Sequence, residues 1–231
     1  MRTVFIAGAG TDVGKTWVAA GLISALRAEG ASVDAFKLIA SGYDPARPED
    51  SDAAVLLAAL GRAPTPEAIE DICPLRFIEP LSPPAAARRE GVTLSLADLV
   101  SRCRQRMAAA ATEVLLIEGA GGVMSPVTDD ATVLDVIVAA RTPTVLVGGS
   151  YLGAISHILT AADVLASRGV KLEAVVVSES LAPAPDFDET LRDISRLLKD
   201  STVVGVRRDD PRPLTGLARR ILGASLSSER A

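Results

Sequence analysis

The sequence predicts an α/β fold in one domain, residues 1–231, with a mainly parallel sheet and helices on both of its faces. Three observations support this prediction. Residues 8–16 form a glycine-rich turn between an apolar run and a helical pattern. Strand-like and helical segments alternate along the rest of the chain, as in parallel sheets covered on both faces. A length of 231 residues, 48% of them hydrophobic, suffices for one large core and is short for two.

The glycine-rich turn, Gly-Ala-Gly-Thr-Asp-Val-Gly-Lys-Thr, follows a predicted strand at 3–7 and precedes a predicted helix at 17–26. Such a turn points backbone N–H groups and a positive helix end at one spot, which suits a polyphosphate. We interpret it as a P-loop of the NTPase type, with Lys15 on the β- and γ-phosphates and Thr16 on Mg²⁺. Ala9 stands where the usual motif has its first glycine, so this loop is one residue longer. A chance turn would not explain the order of strand, loop and helix.

A second lysine stands at the end of the next predicted strand, 32–38. The chain has four lysines against twenty arginines, so its ordinary surface charge comes from arginine and Lys37 is suggestive. A lysine can act as a compact point charge beside phosphates. We expect Lys37 and Ser41 to face the nucleotide, because ligands bind at the carboxyl ends of parallel strands. The alternative is a strand-end lysine that reaches out to solvent.

Asp50 or Ser51 is predicted to cap a helix that runs to residue 60, which puts Asp52 in its first turn. From local sequence alone, the Asp52 carboxylate could simply complement the helix dipole. Six prolines between residues 64 and 84 predict extended or turning chain, with a possible short strand at 72–77. Ser95 is predicted to cap a helix at 96–111.

Residues 113–118, Glu-Val-Leu-Leu-Ile-Glu, predict a buried strand that ends in an acid and a glycine cluster. Four apolar residues followed by a carboxylate are typical of the Walker B arrangement, which holds a hard oxygen ligand beside the phosphates. Glu118 is therefore a candidate Mg²⁺ ligand. The alternative is an acid in a turn at the end of a strand.

The rest of the chain continues the alternation. Asp129 or Thr132 opens a helix, and the N-terminus of a later helix at 150–167 is a possible anion site. His157, the only histidine, lies one turn into that helix, where a structural hydrogen bond is expected. The remaining predicted elements are strands at 143–147, 170–177 and 202–206 and helices at 187–198 and 214–222. Residues 225–231 are predicted to fray.

Composition argues against several classes of function. A formal charge of -5 and a pI near 5.0 disfavour a general nucleic-acid surface. Cys73 and Cys103 lack metal-ligand spacing and are predicted to be buried or free thiols. No apolar run approaches the roughly 20 residues of a membrane span, and no signal peptide is visible. We expect a cytoplasmic protein without membrane or nucleic-acid partners.

Five segments in order resemble the dethiobiotin synthetase family over about residues 3–180. They are the P-loop variant, 36–42, 51–53, 79–83 and 118–122. The resemblance implies a homodimer, with active sites at its interface, that converts 7,8-diaminononanoate, CO₂ and ATP to dethiobiotin, ADP and phosphate with Mg²⁺. In that reaction a substrate amine captures CO₂ as a carbamate, which attacks the γ-phosphate. The second amine then closes the cyclic urea and expels phosphate, as expected of a cyclo-ligase that forms C–N bonds.

The resemblance also implies roles for individual residues. Lys15 would hold the phosphates, Lys37 would neutralise the carbamate and the developing phosphate charge, and Thr11 would position the reacting groups. The implied Mg²⁺ ligands are Thr16, Asp52 and Glu118. The implied nucleotide-binding residues are Asp12, Val13, Gly14, Lys15, Thr16, Glu118, Gly119, Gly121 and Ser178. The implied substrate-binding residues are Lys37, Ser41, Gly121, Tyr151, Leu152 and Gly153, the last three from across the dimer.

Two departures from the family pattern affect binding. Tyr151 and Ser156 stand where members often have a lysine and an asparagine, near the expected contacts to the substrate tail. Ser178 stands where an adenine-reading asparagine is expected. A serine hydroxyl selects adenine less strongly than the paired donor and acceptor of an asparagine amide. We therefore predict that this protein accepts GTP and CTP better than an asparagine-bearing relative does, unless the backbone at 206–211 reads the base.

Two other functions of P-loop proteins would require different sequence features. A partitioning or positioning ATPase of the deviant P-loop type would carry a signature lysine at the place of Gly10 and, when membrane-bound, a basic amphipathic C-terminal helix. A glutamine-dependent synthase of the same class would need an additional glutaminase region. The sequence shows none of these features.

Overall fold

A sheet of six parallel strands forms the centre of the computed structural model, which describes residues 1–181 and 185–223. The strands of the described chain are β1 (Arg2–Gly8), β2 (Val33–Lys37), β3 (Ala40–Ser41), β4 (Arg76–Phe77), β5 (Val114–Glu118), β6 (Thr144–Gly148), β7 (Leu172–Ser178) and β8 (Val203–Val206). Six of them lie side by side in the order β2-β5-β1-β6-β7-β8, while β3 and β4 form a separate parallel pair. The predicted α/β class is confirmed.

Helices cover both faces of the sheet. They are α1 (Lys15–Ala28), α2 (Asp52–Ala59), α3 (Pro66–Ile72), α4 (Pro83–Arg89), α5 (Leu96–Ala109), α6 (Val133–Ala140), α7 (Ala154–Ser167), α8 (Phe187–Leu197) and α9 (Pro213–Leu222), with a short 3₁₀ turn at Pro48–Asp50. Alternate residues of β1 face opposite layers: Val4 and Ile6 pack with α1, α2, α3 and α9, whereas Phe5 and Ala7 pack with α5 to α8. This alternation gives two apolar layers around a buried sheet.

The proline-rich stretch 64–84 differs from its prediction. It contains α3, capped by the Thr65 side chain, and the start of α4, where extended chain was expected. The reason is that Pro66 and Pro83 stand in the first helical turn, where a missing N–H costs nothing. The strand expected at 72–77 is reduced to β4, whose partner β3 was not predicted.

Capping residues resolve two open alternatives. The Ser51 hydroxyl accepts a hydrogen bond from the amide of Ala54 and so caps α2. Thr132 and Asp135 form a capping box at the start of α6. Helix α7 begins at Ala154, four residues later than predicted, because Gly153 precedes it with a φ of 97°. The fraying predicted for 225–231 lies outside the described residues.

Two further sequence predictions can be compared with the structure. Cys73 and Cys103 are both buried free thiols, and burial raises the pKa of each to about 12. Within the described ranges no helix combines the length and apolar character needed to cross a bilayer.

Candidate nucleotide-binding and active site

The loop at 8–16 joins the end of β1 to the start of α1. It turns through two left-handed residues, Asp12 (φ 55°) and Gly14 (φ 89°), the second of which precedes the helix. A side chain at Gly8 would not fit, since its Cβ would lie 2.6 Å from the Gly10 carbonyl oxygen. The Lys15 ammonium folds back and donates to that same oxygen at 3.1 Å. The predicted unit of strand, loop and helix is therefore present, with a free helix N-terminus beside a lysine.

The order of the strands brings Lys37 and Glu118 together. Because β5 lies between β1 and β2, Glu118 is in register with Ile6 on one side and Lys37 on the other. The Lys37 ammonium lies 2.5 Å from the Glu118 carboxylate and 2.6 Å from the Asp52 carboxylate, at the start of α2. The Thr16 hydroxyl donates to Glu118 at 2.7 Å. Four elements thus deliver one connected cluster of charged and polar groups beside the loop.

Burial makes this cluster electrostatically strong. Lys37 is 3% exposed and Glu118 is 1% exposed. Burial alone would lower the pKa of Lys37, but the Glu118 and Asp52 carboxylates raise it above its ordinary value. Burial, with the nearby Lys37 charge, lowers the pKa of Lys15 to about 8. The two carboxylates thus favour the charged form of Lys37 next to the loop lysine.

The same cluster fits a magnesium ion. One carboxylate oxygen of Glu118, Oε2, is buried and finds no hydrogen-bond partner among the residues that the structure describes. Mg²⁺ is usually held by one or two carboxylates, with its other ligands taken from phosphates and water. Asp52, Glu118 and the Thr16 hydroxyl match that donor set. No group of three or more His, Cys, Asp or Glu residues that could hold a metal occurs in the described ranges, in keeping with a site that substrate phosphates complete.

A cavity of about 340 Å³ opens beside the loop. The predicted site residues that line it are Thr11, Asp12, Gly14, Lys15, Thr16, Lys37, Ser41, Asp52 and Gly121. Glu118 reaches the cavity through Lys37 and Thr16. Val13 is buried, and Gly119 packs against the Phe5 ring, so neither residue lines the cavity. The structure therefore brings together most of the predicted phosphate, metal and diamine residues.

Ser178 lies outside this cavity. Its side chain is fully buried at the end of β7, and its hydroxyl has no hydrogen-bond partner within residues 1–181 and 185–223. It sits against Gly14, where an added Cβ would lie 2.7 Å from the hydroxyl oxygen. The cavity wall near it includes Arg208 and Trp17, which sequence reasoning missed. Arg208 does lie within the segment 206–211, whose backbone was the expected alternative reader of the base, but its side chain was not predicted to take part.

Tyr151, Leu152 and Gly153 do not line this cavity, although the Tyr151 hydroxyl comes close to Gly10 of the loop. They line a groove of about 630 Å³ between α7 and α8. The Tyr151 hydroxyl is hydrogen-bonded to His157 Nδ1 at 2.7 Å, which is the kind of contact expected for this histidine. Leu152 is 89% exposed. A further cavity of about 450 Å³ separates the loop from α7 and is lined by Gly10, Met124 and His157, among others.

Comparison with known sequences gives consistent results. A family described as an AAA domain matches residues 2–210. The chain is 52% identical over 208 residues to the ATP-dependent dethiobiotin synthetase BioD of Caulobacter vibrioides, covering 90% of this chain and 93% of that one. It is 53% identical over 192 residues to the protein of the same name from Phenylobacterium zucineum, covering 83% and 82%. The protein of that name from Methylobacterium nodulans is 48% identical over 221 residues, covering 94% and 98%.

Solved structures resemble the fold at low sequence identity. The MinC:MinD cell division protein complex of Aquifex aeolicus aligns with a TM-score of 0.59 at 14% identity, covering 100% of this chain and 99% of that chain. The signal recognition particle receptor FtsY of Elizabethkingia anophelis aligns with a TM-score of 0.52 at 12% identity, covering 96% and 65%. At such identities the likeness supports the P-loop NTPase fold alone.

Proposed function

Because the chain belongs to the family of ATP-dependent dethiobiotin synthetases, we propose how its own residues carry out that family's reaction. The protein is an ATP-dependent cyclo-ligase of biotin biosynthesis, which joins 7,8-diaminononanoate and CO₂ into the cyclic urea of dethiobiotin. One observation supports the assignment of residues most strongly. Lys37 lines the same cavity as the P-loop and is in hydrogen-bond contact with two carboxylates, those of Asp52 and Glu118.

The reaction mainly requires the neutralisation of negative charge. A substrate amine adds to CO₂ and loses a proton, which gives a carbamate. One carbamate oxygen attacks the γ-phosphorus and ADP leaves; the second amine then attacks the carbamate carbon, and phosphate departs as the ring closes. Two anionic groups approach each other when the carbamate oxygen attacks the γ-phosphorus. We propose that Lys37 stabilises the charge between carbamate and γ-phosphate, while Lys15 holds the β- and γ-phosphates.

We propose Thr16, Asp52 and Glu118 as the ligands of Mg²⁺, which would offset phosphate charge when bound. The buried Glu118 oxygen, which no described residue hydrogen-bonds, supports this assignment. Thr11, Ser41 and Gly121 line the same cavity and are proposed to bind the carbamate and the diamine. The backbone amides of residues 10–16 would bind the phosphate oxygens, as at other helix N-termini that follow glycine-rich loops.

The proposal also includes a homodimer, in the cytoplasm, in which each chain's single domain completes its partner's site. Residues 151–153 would receive the substrate carboxylate at the start of α7, because helix N-termini favour anions. Two observations support a shared interface: Leu152 and Gly153 line a groove other than the nucleotide cavity of their own chain, and Leu152 is 89% exposed. Leu152 shares its groove with Ile155 and Leu159, and contiguous apolar surface of this kind is typical of an interaction site.

The assigned reaction is tested by phosphate release. Purified protein with Mg²⁺, ATP and bicarbonate is expected to release phosphate only after 7,8-diaminononanoate is added, in a one-to-one ratio with the cyclic urea. A 1,7-diamine, whose two amines are not on adjacent carbons, serves as the control. It can form a carbamate but cannot close a five-membered ring. Steady ATP hydrolysis that the diamine does not change would count against the proposal.

Leu152→Glu is expected to weaken the dimer and lower activity together. A carboxylate at the centre of an apolar contact has to be desolvated, at a cost of several kcal/mol, so the dimer dissociation constant should rise by at least about a hundredfold. Sedimentation velocity over a range of concentrations measures it. Leu197→Glu provides the matched control, because Leu197 is 54% exposed at the end of α8. If Leu152→Glu dimerises as the wild type does, residue 152 is outside the interface.

A further inference from the structure

Arg208 lies at the opposite end of the nucleotide cavity from Lys37. The cavity is lined by Lys37 and Ser41 on the β2 side of the sheet and by Arg208, just after β8, on the other. Strands β2 and β8 are the two edges of the sheet, with β1 and its loop between them. Granted the proposed function, the γ-phosphate lies near Lys37, so a triphosphate along the loop directs its nucleoside toward Arg208.

The position of the Arg208 side chain is fixed by its neighbours. Its Nε donates to the Glu179 carbonyl oxygen at 2.9 Å, and its amide donates to the Glu179 carboxylate at 3.0 Å. Its guanidinium carbon lies 5.3 Å from the centre of the Trp17 ring. Neither terminal guanidinium nitrogen donates a hydrogen bond to any residue in 1–181 or 185–223. The planar Arg208 guanidinium is thus held over the Trp17 ring, and its terminal N–H groups can donate to a ligand.

Ser178, which was expected to contact the edge of the base, does not reach the nucleotide cavity. The Ser178 hydroxyl is buried beneath Gly14 and lines no part of the cavity. Trp17 and Arg208 are the planar side chains of the cavity wall at its nucleoside end. Recognition by the face of the base, rather than by its edge, suits these two groups.

We propose that the nucleobase packs by its face against the Arg208–Trp17 pair and that Arg208 determines how tightly, and how selectively, the nucleoside binds. Every base has a π face, so stacking tolerates all of them. The guanidinium adds a cation–π contribution and stacks well on planar rings. Loose selection among nucleotides follows. We expect GTP and CTP to support the reaction with kcat/KM within about tenfold of ATP.

The test compares ATP with inorganic tripolyphosphate, which offers the phosphates without a base. Calorimetric titrations in Mg²⁺ on the full-length protein are made with wild type and Arg208→Gln. The variant should bind ATP about tenfold more weakly, because a stacking and cation–π contact is lost. Its affinity for tripolyphosphate should stay within about twofold of wild type, because the P-loop is unchanged.

Arg212→Gln is the matched control. Arg212 is an exposed arginine that pairs with Asp210 and does not line the nucleotide cavity, so both affinities should equal those of wild type. An equal loss for ATP and tripolyphosphate in Arg208→Gln would make Arg208 a phosphate ligand and overturn the inference. So would unchanged binding of both, or a preference for ATP over GTP and CTP of more than about a thousandfold. A wild type that binds neither probe would refute the proposed nucleotide site itself.

Discussion

Lys37→Gln is expected to lower the rate of diamine-dependent phosphate release by at least about a thousandfold while ATP affinity changes by less than about tenfold. The Lys37 charge is needed most where the carbamate meets the γ-phosphate, and less where ATP is merely bound by the loop. Removal of one partner from a buried ion pair also destabilises a fold, by about 3–5 kcal/mol when the other stays charged. Steady-state kinetics, equilibrium ATP binding and thermal melts therefore have to be measured on the same samples.

Lys199→Gln controls for the loss of a lysine. Lys199 is exposed after α8, far along the chain from the site, and its replacement should leave rate and affinity unchanged. Two results would remove Lys37 from the chemistry: full turnover of Lys37→Gln at saturating substrate, or a loss of rate that follows the fraction of unfolded protein.

Glu118→Gln and Asp52→Asn are expected to raise the Mg²⁺ concentration for half-maximal activity by at least about tenfold. Each change replaces a charged oxygen ligand by a neutral one of the same size, which Mg²⁺ binds less well. Metal titrations of the phosphate-release rate measure the effect. The folds should survive, because Lys37 keeps one charged partner in each variant, Glu118 in Asp52→Asn and Asp52 in Glu118→Gln.

Glu113→Gln is the control for this pair. Glu113 precedes β5 at the end opposite Glu118 and accepts hydrogen bonds from Ser32, away from the nucleotide cavity. It should show the metal dependence of the wild type. Wild-type dependence in Asp52→Asn would mean that Asp52 only complements the dipole of α2; the same result in Glu118→Gln would make Glu118 no more than a partner of Lys37.

The central cluster was predictable from sequence because each member follows a local signal. Lys15 and Thr16 end a loop motif, Glu118 ends a buried strand, and Ser51 caps the helix that begins with Asp52. Parallel strands align their carboxyl ends, so separate signals predict one site. The register of Lys37 opposite Glu118 required the insertion of β5 between β1 and β2, which no local pattern specifies.

Other features depended on long-range contacts and were missed. Arg208 meets the loop only because β7 and β8 are neighbours and Glu179 orients its side chain. Helices α3 and α4 were not predicted, because the prolines of this stretch were interpreted as helix breakers. Proline is well tolerated in the first turn of a helix, where Pro66 and Pro83 stand. The burial of Ser178 beneath Gly14 likewise depends on packing between distant segments.

The structural likeness to MinD does not change the functional conclusion. The MinC:MinD complex of Aquifex aeolicus shares the fold at 14% identity, whereas the dethiobiotin synthetases share about half of the residues over most of the chain. Gly10 stands where the deviant P-loop ATPases carry a signature lysine. The rest of the likeness is the strand, loop and helix arrangement common to proteins that bind nucleoside triphosphates.

The central claim, that this one site joins a diamine carbamate to the γ-phosphate, is tested most directly by following oxygen from CO₂. Protein, Mg·ATP and diamine are mixed with ¹⁸O-labelled CO₂ in unlabelled water, and the reaction is quenched before CO₂ exchanges its oxygens with water. Carbamate attack on the γ-phosphorus predicts one labelled oxygen in each phosphate released and one in the cyclic urea. Phosphate without label, formed as fast as the urea, would contradict the account.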